Sequence, residues 1–334
     1  MSQRVGTQSV LLDPPPYLSA TATVGGPMEG QGPLAGDMDR IYNRLLAGEK
    51  SFEAAELKML EECCLLALGK GNLNVDEIDY FIAGDLLNQT ISSGFSALKL
   101  SIPYLGVYGA CSTLNLALSL GALLVAGGVA QHVMAATSSH NSSAERQYRY
   151  PTEYGFKRPP HAQWTVTGAG AGIISREGGG PKITAITTGK VVDLGVKDPL
   201  ALGAAMAPAA ASTLISHFQE LERDPSYYDL ILTGDLGQVG RQVYQEIMVR
   251  EGYSLPRYHD CGTMIYNLER QPVDAGGSGC ACIAVVALGH IYQRIRRGEF
   301  NRVLLVATGA LHSPTTCLQG NSIPVIAHAL ALEN

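Results

Sequence analysis

The sequence Asp79-Tyr80-Phe81-Ile82-Ala83-Gly84-Asp85-Leu86 recurs 150 residues later as Asp229-Leu230-Ile231-Leu232-Thr233-Gly234-Asp235-Leu236. Both segments read as short buried strands that end in Gly-Asp. Upstream at the same spacing, Glu53 to Leu68 and Gly203 to Phe218 carry apolar residues at helical intervals, each followed by a polar turn. Downstream, Cys111 to Ser138 resembles Cys282 to Gly309 at a spacing of 171. Each of those segments predicts a long apolar helix, a glycine-containing turn and a strand. The spacing grows by 21 residues, which places an insertion between the Gly-Asp strand and the long helix of the second copy, expected within Tyr244 to Glu269. A period this long indicates a duplicated domain-sized unit and not a solenoid. Strands beside buried helices in both copies give an α/β fold, with helices sandwiched by adjacent sheets. The halves are expected at 1–178 and 179–334.

Composition narrows the function classes. With 46% hydrophobic and 16% charged residues, the 334-residue chain can fill a large core shared by two units. A net charge of -6 argues against nucleic acid or anionic lipid as a partner. The one basic cluster, Arg294, Arg296 and Arg297, precedes Gly298 and reads as a helix C-terminus. Seven cysteines without regular spacing suggest reduced thiols in a cytosol-like compartment. Neither Cys63-Cys64 nor Cys280-Ala281-Cys282 has zinc-ligand spacing, so no metal site is expected. The N-terminus lacks the apolar stretch of a signal peptide. The apolar run from Leu114 to Ala130 is too short for a bilayer span and reads as a buried helix.

Tyr108-Gly109-Ala110-Cys111-Ser112-Thr113 puts a thiol where a strand turns into a helix. Amides at a helix N-terminus would lower its pKa or hold a carboxylate, whereas packing as a small hydrophobe is the plain alternative. Gly109-Ala110-Cys111-Ser112, the apolar helix to Gly128, and the run from Thr165 to Gly172 resemble the thiolase and ketoacyl synthase superfamily. That resemblance implies a layered α-β-α-β-α arrangement of two duplicated halves, with Cys111 at the position of the acyl-accepting nucleophile. Its catalytic partners are absent. Where condensing enzymes place a histidine after the second-copy strand, this chain has Gly234-Asp235. Where they place Asn or His in a glycine-rich turn, it has Gly277-Ser278-Gly279-Cys280. Condensation needs donors for an enolate and a base for the nucleophile, so no catalytic residue is assigned and a non-enzyme is expected. The alternative is a Cys111-dependent acyltransferase or condensing enzyme, with Asp235 or a nearby His as its base. A scaffold with a relic pocket is a third reading.

Longer blocks resemble the stage V sporulation protein AD family: Gly84 to Gln89, Ala136 to Asn141, Ala144 to Gln147, Arg149 to Gly155, and Gly276 to Cys282. This resemblance implies a binding protein for dipicolinic acid or its calcium chelate, acting in uptake into the forespore and in release at germination. It also implies a place at the cytoplasmic face of the inner membrane, among other membrane proteins of the same transport complex. The superfamily adds homodimerisation. No cofactor is implied beyond calcium carried with the ligand.

A planar dicarboxylate needs anion donors and a flat wall, and its metal needs hard oxygens. The amides after Cys111, including Ser112, and those of Ser278, Gly279 and Cys280 are candidate donors. Arg146 and Arg149 could fork onto a carboxylate. Tyr148, Tyr150 and Tyr154 offer stacking faces. Asp85, Asn88, Glu153 and Asp235 supply oxygens, and Gln89 continues the Asn88 block. His140 follows a strand, a frequent position at a pocket mouth. Each has a structural alternative: a turn cap for Asp85 and Asp235, a dimer-contact loop for Arg146 and Arg149, a satisfied core histidine for His140, and close packing for Cys280 and Cys282.

Overall fold

The first half runs from β1 (Tyr17–Gly25) into α1 (Phe52–Gly71), β2 (Tyr80–Gly84), α2 (Ile91–Leu100), β3 (Tyr104–Gly106), α3 (Thr113–Ala126), β4 (His132–Ser139), α4 (Asn141–Tyr148) and β5 (Gly168–Ser175). The second half repeats the course with β6 (Lys182–Thr188), α5 (Leu202–Glu220), β7 (Leu230–Thr233), α6 (Gly237–Arg250), β8 (Tyr258–Asp260), α7 (Cys280–Val285), β9 (Arg302–Ala310) and β10 (Val325–Glu333). Helix α7 continues through a π-helical turn at Val286–Ile291 to Arg296. This computed structural model describes residues 2–148 and 158–334.

Strand pairing shows the duplication. In the first half β1 and β4 flank β5 antiparallel, and β4, β2 and β3 are parallel. In the second, β6 and β9 flank β10 antiparallel, and β9, β7 and β8 are parallel. The ten strands lie in one continuous hydrogen-bonded order, yet a single residue pair, Lys182 with Tyr17, joins β6 to β1.

The five layers expected from the sequence are present. Helix α1 covers the outer face of the first sheet through Met59, Leu60, Cys63 and Cys64 against Ala20, Ala22 and Ile173. Helices α3 and α7 fill the space between the sheets with Leu114, Leu118, Ile283 and Leu288. On the far face, the alanine-rich α5 packs on β9 and β10 through Met206, Leu214, Val306 and Ala329. The Gly-Ala alternation of β5 lets α7 approach closely: a Cβ on Gly170 would lie 2.7 Å from the Ala284 Cβ. None of the described helices is long and apolar enough to cross a membrane.

The insertion lies later than the sequence suggests. Between β3 and β8 the spacing has grown only from 150 to 154, so most of the added residues fall after β8, before Cys282. They form a short helix, Cys261–Met264, and a two-residue strand, Gly277–Ser278, which pairs with Trp164–Thr165. This segment delivers Ser278 to Cys111. The basic cluster ends its helix as expected, with Gly298 left-handed at φ 74.

Candidate functional site

Cys111 sits at the meeting of the two halves. Ala110 before it is left-handed at φ 49, a costly conformation for a residue with a Cβ. Local hydrogen bonds hold the turn. The Thr113 hydroxyl donates to Ala110 O at 2.6 Å and accepts from Gly109 N–H at 3.1 Å, and the Ser112 hydroxyl donates to Gly109 O at 2.6 Å. From the other half, β9 presses Gly309 against the turn, where a Cβ would lie 2.2 Å from Gly109 O.

The twin aspartates have diverged. Asp85 is wholly buried and caps its own turn: Oδ1 accepts from Leu87 N–H at 2.9 Å, and Oδ2 from the Ser93 N–H and hydroxyl at 2.8 and 2.7 Å. In the second copy that duty passes to Asp260, which accepts from the N–H groups of Leu236 and Gly237, each at 2.9 Å. Asp235 is thereby turned toward Cys111. Its Oδ2 accepts from the Ser278 hydroxyl at 2.8 Å and Gly279 N–H at 3.0 Å, and its Oδ1 from the Thr308 hydroxyl at 2.7 Å. Ser278 Oγ lies 4.0 Å from Cys111 Sγ.

This environment opposes a thiolate. Burial, then the Asp235 carboxylate, holds the Cys111 thiol well above its ordinary range, correcting the expectation that helix amides would favour the anion. Those amides are occupied: Ser112 N–H bonds Gly109 O and Thr113 N–H bonds Ala110 O. Burial also raises the pKa of Asp235, against the hydrogen bonds it accepts. With three donors on its two oxygens, Asp235 is a clamp between Ser278 and Thr308.

A narrow cavity of about 40 Å³ opens at Cys111 between Leu86, Tyr108, Glu145, Thr165, Ser278 and His312. By that measure it has room for about three waters. Through Tyr108 and His312 it meets an outer cleft of about 490 Å³, walled by Leu87–Thr90, Gly106–Tyr108 and Leu311–Pro314. None of the described residues lining either space is Lys or Arg. Glu145, on the inner wall, accepts from the Thr165 hydroxyl at 3.1 Å and pairs with Arg158 at 3.3 Å. Arg158 in turn lies over the Trp164 ring, 4.5 Å from its centroid.

Of the residues singled out from the sequence, Cys111, Ser278 and Gly279 meet at the inner cavity, and Asn88 and Gln89 line the outer cleft. Others lie off the cavity walls. Asp85 and Asp235 spend both carboxylate oxygens on protein donors, which leaves them unsuited to the metal-ligand role suggested for them. Ser112 bonds its own turn, and the Cys280 thiol donates to Ala110 O at 3.0 Å. Arg146 pairs with Glu53 on the surface. His140 is fully buried, with Nε2 2.9 Å from Leu45 O and its ring 5.3 Å from Phe52. Arg149, Glu153, Tyr150, Tyr154 and the Tyr148 side chain lie outside the described residues.

Sequence reasoning missed His312, Tyr108, Glu145 and Thr165 as walls. His312 had a readable signal, because it follows β9 by two residues, close to where His140 follows β4. His140 lies in the core, whereas His312 lies at the neck of the cleft.

Solved structures share this architecture. The 3-oxoacyl-[acyl-carrier-protein] synthase III of Aquifex aeolicus VF5 matches with a TM-score of 0.59 at 13% identity, covering 96% of this chain and 100% of that one. The human mitochondrial 3-ketoacyl-CoA thiolase matches with a TM-score of 0.59 at 12% identity, covering 96% and 98%. At such identities the likeness shows the thiolase-type fold alone. A Bacillus subtilis (strain 168) protein described as stage V sporulation protein AD is 48% identical over 329 residues, 98% of this chain and 97% of its own length. With residues 6–333 also matching the family model of that description, the chain belongs to the stage V sporulation protein AD family, sporulation proteins with a thiolase-like fold.

Proposed function

We propose that this protein binds dipicolinic acid or its calcium chelate without catalysis, serving the ligand's uptake into the forespore and its release at germination. The observation that carries the non-catalytic reading is the clamp beside Cys111. Asp235 stands where a base is needed, but it already accepts from Ser278, Gly279 and Thr308, and burial together with its carboxylate pushes the pKa of the neighbouring Cys111 thiol well up. The ligand comes from the family resemblance. The outer cleft supports it in size, since about 490 Å³ suits a small aromatic diacid where the inner cavity does not. A lining without Lys or Arg among the described residues favours a charge-neutral calcium chelate over the bare dianion, because an uncompensated anion is costly to desolvate.

Calcium, in this reading, arrives with the ligand and is not a resident cofactor. The protein works at the cytoplasmic face of the inner spore membrane, beside membrane proteins of the same transport machinery. It does so as a homodimer: the short edge strand β3 has unpaired backbone groups, and Leu105, Ile91, Phe95 and Leu98 expose apolar surface around it. Incubation with acyl-coenzyme A followed by intact-mass measurement tests the non-catalytic reading. An unchanged mass from pH 6 to 9 is expected, and an acyl adduct mapped to Cys111 would replace this reading with acyl transfer.

A further inference from the structure

The turn between β2 and α2 holds two consecutive left-handed residues, Gln89 at φ 59, ψ 25 and Thr90 at φ 51, ψ 51. Neither is glycine, and Thr is β-branched, so the backbone here is held against its own preference. Five contacts hold it. Asp85 takes Leu87 N–H at one end and both Ser93 donors at the other. Asn88 N–H donates to Gln147 Oε1 at 2.9 Å, and Thr90 N–H donates to Leu87 O at 2.9 Å.

The turn is also a ridge between two depressions. On one side is the outer cleft of about 490 Å³, and on the other a groove of about 410 Å³ bounded by Leu57, Ile91, Ser92, Phe95 and Gln147. Asn88 and Gln89 line both, and both are exposed. Neither carboxamide has a hydrogen-bond partner among the described residues. Ser92, 2% exposed at the wall of the groove, likewise has a hydroxyl with no partner. A turn that only linked β2 to α2 would be best served by glycine at 89 and 90. Strain retained by side-chain-bearing residues, next to free amides at the entrance of a cavity, marks a contact element.

We infer that Gln89 is the ligand-selecting residue of the outer cleft, its carboxamide donating to a carboxylate of the entering diacid, with Asp85 as the positioning residue that fixes the turn. The inference rests on the dipicolinate reading. A neutral amide donor suits a cleft without Lys or Arg in its described lining, because it recognises a carboxylate equally in the free acid and in the chelate. Asp85, capping from behind, sets where that donor points.

The test is calorimetric titration with dipicolinate, with and without calcium, of the unaltered protein, Gln89→Gly and Gln89→Glu, alongside thermal unfolding. Gln89→Gly removes both the strain and the donor. It should raise the unfolding midpoint by about 1–3 °C while weakening binding roughly ten- to hundred-fold. Gln89→Glu keeps the shape and sets a like charge against the diacid, so it should lose at least as much affinity for the calcium-free ligand. If the unaltered protein binds and both variants bind within about twofold of it, Gln89 is not the selector and the dipicolinate reading stands. Absence of binding by the unaltered protein overturns both.

Discussion

Ser278 stands between Asp235 and Cys111, donating its hydroxyl to the carboxylate at 2.8 Å and lying 4.0 Å from the sulfur. It holds in place the carboxylate whose charge acts on the thiol. In the proposed reading, the second copy supplies a lock beside Cys111 in place of a base.

The lock makes Cys111 a slow nucleophile. Six of the seven thiols are buried and only Cys317 is partly exposed, so mild alkylation at pH 7.5 should label Cys317 first and leave Cys111 unmodified. Asp235→Asn removes the charge that helps hold the thiol up, and should speed Cys111 labelling several-fold. Peptide mapping by mass spectrometry reads both outcomes. Rapid labelling of Cys111 in the unaltered protein would contradict the lock.

Glu29 joins the halves from within: Oε1 accepts from Thr167 N–H at 2.9 Å, and the Tyr266 hydroxyl donates to the same oxygen. Burial lifts its pKa to about 7, and Asp260 is lifted likewise to about 7. For a carboxyl raised in the folded state, the stability it contributes is present below the unfolded pKa and is lost as pH rises through 7. In urea unfolding, Glu29 and Asp260 should therefore contribute a fall in stability between about pH 4.5 and 7, opposed over part of that range by the buried His217 and His328, whose pKa values are lowered. Glu29→Gln should flatten that fall by up to about 3 kcal/mol. A slope unchanged in the variant would show that Glu29 is not ionising in this range.

Gly309 is packed against the Cys111 turn, so even one methyl group must move something. A Cβ there would approach Gly109 O to 2.2 Å and Ser112 N to 3.1 Å. Gly309→Ala should cost about 1–3 kcal/mol and, by shifting the turn, weaken ligand binding as well. Denaturant unfolding and a binding titration of the same sample check it. Unaltered stability would mean that β9 does not buttress the turn.

The duplication made the fold legible, because a repeated Gly-Asp strand and a repeated helix-turn-strand block dictate two similar halves. Two apolar strands per copy could be read from the sequence, while the structure has five. Strand β5 escaped notice because Gly168 to Gly172 lacks the β-branched residues that announce a strand. Its small residues make sense only once α7 lies across them. At the site, Cys111 and the Ser278-Gly279 turn were legible from motif positions. The separation of Asp85 from Asp235 was not. The two share the same Gly-Asp-Leu context, and their difference depends on Asp260, 25 residues after Asp235, taking over the capping bonds.

The proposed dimer makes its own prediction. Leu98 is 74% exposed on α2 beside the open edge of β3. Leu98→Glu should shift light-scattering mass from dimer toward monomer, because a charge buried at an apolar contact is costly. An unchanged dimer would place the interface elsewhere, and a monomeric unaltered protein would contradict the proposed dimer.

The central claim is that the outer cleft binds dipicolinate without chemistry. Calorimetric titration of the purified protein with dipicolinate, in the presence and absence of calcium, tests it directly. Saturable binding near one ligand per chain is predicted, tighter with calcium, with the ligand recovered unchanged. No heat with either form of the ligand would contradict the account.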